Sequence, residues 1–77
     1  MSTQVTFPVM SKDPDIEGVV GTWFALDGET VEAGQVIAEV QVDKVSNDVP
    51  APASGTLRHV VPEGDGVAQG AVLAVIE

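Results

Sequence analysis

The chain has 77 residues, 44% of them apolar, enough for one small domain with a thin core and too little for a large cleft. Three basic residues against twelve acidic ones give a net charge of −9, which makes DNA and anionic membrane surfaces poor partners. With no cysteine and one histidine, His59, the composition excludes a disulfide framework, a thiolate zinc site and a histidine-rich metal centre.

Met1 to Gln4 lack the charged and apolar regions of a secretion signal. No apolar run reaches the roughly 20 residues of a membrane span. The expected location is a bacterial-type cytoplasm, or an organellar matrix after processing. Gln4 to Pro8 reads as a first strand. Ser11 to Glu17, with Lys12, Asp13, Pro14 and Asp15, reads as a polar surface loop. Val19 to Ala25 is a second strand, followed by a glycine turn at Gly28. Val36 to Val42 and Val45 to Pro50 are longer runs with alternating character. Pro50 to Gly55 is a stiff extended segment, since its prolines cannot donate to a ladder. Thr56 to Val61 reads as a further strand. Gly and Pro recur too often for a helical period to develop, so the expected class is all-β.

The chain repeats itself. Leu26 to Val40 aligns without a gap on Pro62 to Ile76, so Gly28 meets Gly64, Val31 meets Val67, Gly34 meets Gly70 and Val36 meets Val72. Two copies are too few for a solenoid. They are enough to close one barrel or sandwich about a pseudo-two-fold axis, as a single domain over residues 1–77.

Asp43 and Lys44 lie between the two longest runs and can occupy the central positions of a tight hairpin turn. That register sets Val42 against Val45, Val40 against Asn47 and Ala38 against Val49 on one face. The other face pairs Gln41 with Ser46 and Glu39 with Asp48. One face is mostly apolar and the other polar, as a half-buried antiparallel pair requires. Lys12 is the only other lysine. A domain this poor in amines that displays one on a hairpin tip looks built to have that amine modified.

At these residues the chain resembles the lipoyl domain of 2-oxo acid dehydrogenase complexes, in the biotinyl/lipoyl-carrier family. The resemblance rests on Gly34 to Val45, on Val49 to Leu57, and on Glu17-Gly18-Val19-Val20, Trp23 and Gly28. It implies a flattened barrel or sandwich of two four-stranded antiparallel sheets, a barrel-sandwich hybrid. Its termini would lie together at one end and Lys44 at the other. Val36, Ile37, Val40, Val72, Leu73 and Ile76 would fill much of the core.

The resemblance further implies that Lys44 carries lipoic acid in amide linkage. A lipoate ligase or lipoyl transferase would attach it, reading Asp43, Val45 and Gln41. The domain itself would catalyse nothing. Its arm would serve a thiamin diphosphate-dependent decarboxylase, a dihydrolipoamide acyltransferase core and dihydrolipoyl dehydrogenase. The loop residues Ser11, Lys12, Asp13, Asp15 and Glu17 would be where the decarboxylase recognises its own domain. No metal is implied.

The sequence departs from the family at several points. Gln41 replaces a common Glu, which resembles the branched-chain subgroup, and Val42 stands where Thr or Ser is usual. The loop from Pro8 to Gly18 lacks the family's Gly-Glu-Gly signature and is slightly longer. The stretch from Gly55 to Gly64 is slightly short. No flexible linker is visible, so the chain reads either as a standalone carrier or as an excised domain.

Two other functions fit the same architecture. A biotin carrier also displays a hairpin lysine, but typically between methionines, whereas here Met1 and Met10 are remote in sequence. An unmodified barrel-sandwich interaction domain would need no special lysine. Trp23 reads as a core or half-buried packing residue and His59 as a surface or packing residue.

Overall fold

In a computed structural model, residues 2–13 and 15–77 are described; Met1 and the loop residue Pro14 lie outside that set. Eight strands follow in chain order: β1 (Thr3–Thr6), β2 (Gly18–Trp23), β3 (Thr30–Val31), β4 (Val36–Val42), β5 (Val45–Pro50), β6 (Gly55–His59), β7 (Gly66–Val67) and β8 (Val72–Ile76). They form two four-stranded antiparallel sheets, ordered β1-β8-β6-β3 and β5-β4-β2-β7. The sheets stack without closing into a barrel, so the expected architecture is present in its sandwich form.

The repeat accounts for the topology. Each half's short strand crosses into the sheet of the other half: β3 pairs with β6, and β7 pairs with β2. Phe24 and Ala25 donate backbone N–H groups to Ile37 O, and the matching Val60 and Val61 donate to Leu73 O. Gly34 N–H donates to Ala51 O and Gly70 N–H to Phe7 O, which makes Ala51 and Phe7 equivalent. β5 and β1 therefore correspond, although their sequences show no visible similarity.

Trp23 and His59 are equivalent positions, and their rings stack on one another with centroids 4.0 Å apart and planes inclined by 16°. Trp23 Nε1–H donates to Val61 O at 3.0 Å, while His59 Nε2 lies 2.9 Å from Ala25 O. A carbonyl only accepts, so that ring nitrogen carries the proton. The backbone N–H of Trp23 donates to Glu63 Oε1 and that of His59 to Asp27 Oδ1, each at 2.8 Å. Residues 25, 27, 61 and 63 obey the same repeat. The stack thus marks the pseudo-two-fold axis, and both rings do pack.

The repeat is interrupted once within these strands. β2 carries a bulge between Val20 and Thr22 that β6 lacks, so Gly21 has no counterpart. The slight shortness of the second half is this missing residue.

The core is the inward row of both sheets. Ile37, Val40, Leu73 and Ile76 are buried as expected, together with Val5, Phe7, Val20, Trp23, Val31, Val42, Val49, Leu57 and several alanines. Val36 and Val72 are not core residues. Val36 is 40% exposed and Val72 half-buried. Successive side chains of a strand point to opposite faces, so when Ile37 and Leu73 turn inward their neighbours turn out. The strands also end earlier than expected at Phe7, Phe24 and Val60, where the chain leaves its ladder.

Candidate functional site: the lysine hairpin and the loop beside it

β4 and β5 meet in a two-residue turn, with Val42 paired to Val45. The remaining pairs, Gln41 with Ser46, Val40 with Asn47, Glu39 with Asp48 and Ala38 with Val49, follow the register read from the alternation. The apolar face is buried along β4 and at Val49. Nearer the tip, Val45 is 57% exposed and Asn47 is also exposed, because β5 is an edge strand.

Asp43 is the first central residue of the turn, with φ of 56°, the only positive φ among the described non-glycine residues. Asp tolerates this region because its short carboxylate can interact with nearby backbone. Lys44 takes the second central position. Asp43, Lys44, Val45 and Gln41 are all solvent-exposed. An exposed primary amine at a turn apex is sterically open to an activated carboxylic acid and can form an amide with it. The residues present therefore fit a covalently attached acid.

The loop between β1 and β2 reaches the same end of the molecule. β2 pairs with β4 so that Val19 lies opposite Gln41. A Cβ placed on Gly18 would sit 2.7 Å from Gln41 O and 2.9 Å from Val42 Cγ2. Glu17 therefore enters β2 beside the base of the hairpin. Lys12, Asp13, Asp15 and Glu17 are exposed and Ser11 is half-buried. The loop is shaped by local bonds from Asp13 N–H to Ser11 Oγ (3.1 Å) and from Asp15 N–H to Asp13 Oδ1 (3.0 Å).

The other end of the molecule holds the chain ends. Thr3 pairs with Ile76, and Thr56 exchanges backbone hydrogen bonds with Glu77. Ala33 N–H donates to Ser54 Oγ at that end, and β4 then carries the chain from Val36 to the hairpin. Seven residues of strand span roughly 23 Å at about 3.3 Å each. The termini and Lys44 lie at opposite ends, as expected.

One residue absent from the sequence reading belongs here. Gln69, in the turn between β7 and β8, contacts the loop through its side-chain amide. Its signal was a mismatch in the repeat, where Gln69 stands opposite Ala33. A groove of about 200 Å³ also opens between edge strands β1 and β5, lined by Gln4, Val5, Thr6 and Pro8 and by Asp48, Val49, Pro50 and Pro52. Asp48 is the single ionisable side chain in that lining, so the groove offers no acid–base pair. Among the described residues no group of His, Cys, Asp or Glu could hold a metal ion, and no helix is long and apolar enough to cross a membrane.

Comparison with known proteins bears on this arrangement. The family model described as biotin-requiring enzyme matches residues 3–76. The succinyltransferase component of the 2-oxoglutarate dehydrogenase complex of Bartonella vinsonii subsp. berkhoffii is 35% identical over 78 residues, covering 100% of this chain and 19% of that protein. The acetyltransferase component of the pyruvate dehydrogenase complex of Rhizobium meliloti is 37% identical, covering 99% of this chain and 17% of its own length. The corresponding Staphylococcus aureus component is 41% identical over 70 residues, 83% of this chain and 16% of that protein. The chain thus spans less than a fifth of the length of these relatives. The solution structure of the lipoyl domain of the Azotobacter vinelandii 2-oxoglutarate dehydrogenase complex superposes with a TM-score of 0.75 at 29% identity, covering 95% of each chain.

Proposed function

The chain belongs to the biotinyl/lipoyl-carrier family as a lipoyl domain, and on that premise we propose that Lys44 takes lipoic acid in amide linkage. The observation that carries this reading is the exposed amine at the apex of the two-residue β4–β5 turn. Amide formation uses the lone pair of the amine and releases a proton, which a ligase must accept. The open apex leaves the amine accessible to such an enzyme. Asp43, Val45 and Gln41 are exposed side chains in the turn and along its strands, and they are the marks we assign to ligase or transferase recognition.

Lipoic acid supplies, when bound, a dithiolane that can carry an acyl group and reducing equivalents. The protein's part is mechanical. The hairpin holds the amine clear of both sheets, and the domain turns encounters between large enzymes into events governed by effective concentration. We assign no catalytic step to the domain. The partners implied by the relatives are a thiamin diphosphate-dependent decarboxylase, an acyltransferase core and dihydrolipoyl dehydrogenase, in a complex of the pyruvate or 2-oxoglutarate kind. A branched-chain complex is supported by Gln41 alone. A biotin carrier is disfavoured by the flanks of Lys44, which are Asp43 and Val45 rather than methionines.

Co-expression with a lipoate ligase, followed by peptide mass mapping, tests the reading. The expected result is one lipoyl group, on Lys44 and not on Lys12. Lys44→Arg should abolish modification and leave stability within about 0.5 kcal/mol, as for most exposed substitutions. Modification at Lys12, or none on a folded domain, would overturn the assignment.

A further inference from the structure

Gln69 spends its whole hydrogen-bonding capacity on one loop. Its Oε1 accepts from the backbone N–H of Met10 at 2.8 Å and of Ser11 at 3.0 Å. Its Nε2 donates to Asp13 O at 3.2 Å and to Ile16 O at 2.8 Å. A primary amide has two acceptor sites and two donors, and all four are engaged. The partners also fix the orientation of the amide, because rotating it by half a turn would set donors against donors and carbonyls against carbonyls.

No ladder holds this loop. Among the described residues its other hydrogen bonds are the local ones at Ser11 and Asp13 and an Ile16 N–H to Asp13 O contact at 3.3 Å. Met10 packs against the core. Among the described residues the Gln69 amide is the one side chain that ties both the entry and the exit of the loop to the frame. The loop in turn presents outward the exposed Val9, Lys12, Asp13, Asp15 and Glu17, none of which the core uses.

The repeat isolates what Gln69 adds. Its counterpart Ala33 has no side chain to reach with, and the corresponding connection there is only Pro52 to Ser54, whereas here it runs from Pro8 to Glu17. The fold is built at Ala33 without such an amide. Gln69 is present where a long loop stands beside the lysine hairpin.

We propose that Gln69 is a positioning residue that holds the Val9–Glu17 loop in the shape by which a decarboxylase accepts this domain, a role that rests on the carrier reading of Lys44. A preformed loop lowers the ordering cost of association. Removing the amide should therefore weaken encounter and leave the chemistry of a docked complex unchanged.

The test uses the lipoylated 77-residue domain, unaltered and as Gln69→Leu and Gln69→Glu. Glu keeps the acceptor oxygens near Met10 and Ser11 and replaces the donors to Asp13 O and Ile16 O with a negative oxygen. Reductive acylation is measured with pyruvate and 2-oxoglutarate decarboxylase components, separating kcat from KM, alongside lipoylation rate and amide hydrogen exchange at Met10 and Ser11. Expected for Leu is faster exchange at both amides, KM raised about tenfold for the preferred decarboxylase, and kcat and lipoylation within about twofold of the unaltered domain. Glu should raise KM while largely keeping Met10 and Ser11 protected. Unchanged exchange in Leu would show that Gln69 does not hold the loop. Faster exchange with unchanged KM would show that the held shape is not what the decarboxylase reads. Either result overturns the proposal. Failure of the unaltered domain to be lipoylated or acylated would instead overturn the carrier reading, and the proposal with it.

Discussion

The two ends of the molecule are built from corresponding strands and differ in what joins them. At one end β4 turns into β5 through Asp43 and Lys44, and a loop from Pro8 to Glu17 lies alongside. At the other end the corresponding strands β8 and β1 lie paired with no turn between them, and Ala51 to Ser54 suffice to connect β5 to β6. Duplicated residues make the frame: the Ile37 and Leu73 carbonyls, the Trp23–His59 stack, the Asp27 and Glu63 carboxylates. Residues with no counterpart gather at the hairpin end. The frame supplies rigidity equally to both ends, and the proposed chemistry belongs to the end where the repeat fails.

Equality of the frame can be attacked at the axis. Trp23 and His59 occupy equivalent positions, but Trp23 is 8% exposed and brings the larger ring, whereas His59 is half-buried. Trp23→Ala should cost roughly 3–5 kcal/mol by the cavity it leaves, a large share of the stability of so small a domain. His59→Ala should cost about 1–2 kcal/mol, from one stacking contact and one hydrogen bond. Denaturant unfolding of both variants decides. Equal losses would mean that the halves contribute alike and that ring size is irrelevant at the axis.

Gly18 stands at the hairpin end and Gly55 at the terminal end. A Cβ on Gly18 would overlap the Phe7 ring and crowd Gln41 O and Val42. A Cβ on Gly55 would overlap Glu77 O and stand 2.8 Å from Ile76 Cγ2, on a backbone with φ of 153°. Alanine at either should cost about 1–3 kcal/mol, or about 4–8 °C in Tm per kcal/mol. The two should separate in function. Gly18→Ala displaces the junction of loop and hairpin, so KM for reductive acylation should rise at temperatures where the domain is folded. Gly55→Ala should leave it unchanged. Equal effects on acylation would break the division of labour between the ends.

The hairpin register was legible because alternation over β4 and β5 leaves only one pairing that separates apolar from polar side chains. The repeat was legible wherever glycines and valines recur at a fixed offset. The equivalence of β1 and β5 was not, because Thr3-Gln4-Val5-Thr6 and Asn47-Asp48-Val49-Pro50 share only the inward valine. Val36 and Val72 were misplaced because apolar character marks a strand while its phase decides which face is buried. Gln69 was marked only by its mismatch with Ala33, and what it contacts was not legible. Its four partners are backbone atoms more than 50 positions away, and backbone atoms leave no trace in residue identity.

The smallest effect concerns Asp43, which both shapes the turn and offers a carboxylate beside the amine. Its φ of 56° is strained for most side chains, by about 1–2 kcal/mol, and less so for Asp or Asn. Asp43→Gly relieves that strain but gives the unfolded chain more freedom, so the two contributions nearly cancel and stability should shift by no more than about 0.5 kcal/mol. Asp43→Asn keeps the turn preference and removes only the charge. Asp43→Ala keeps the strain and loses the local interactions, so it should be the least stable of the three, by about 1 kcal/mol. Lipoylation rates then separate turn former from recognition mark. If a ligase reads the carboxylate, Gly and Asn should both be lipoylated more slowly although their hairpins are intact, and this is the expected result. If Gly and Asn are modified as fast as the unaltered domain and only Ala is slow, Asp43 matters solely for its backbone, and recognition at the hairpin must come from Val45, Gln41 or the lysine itself.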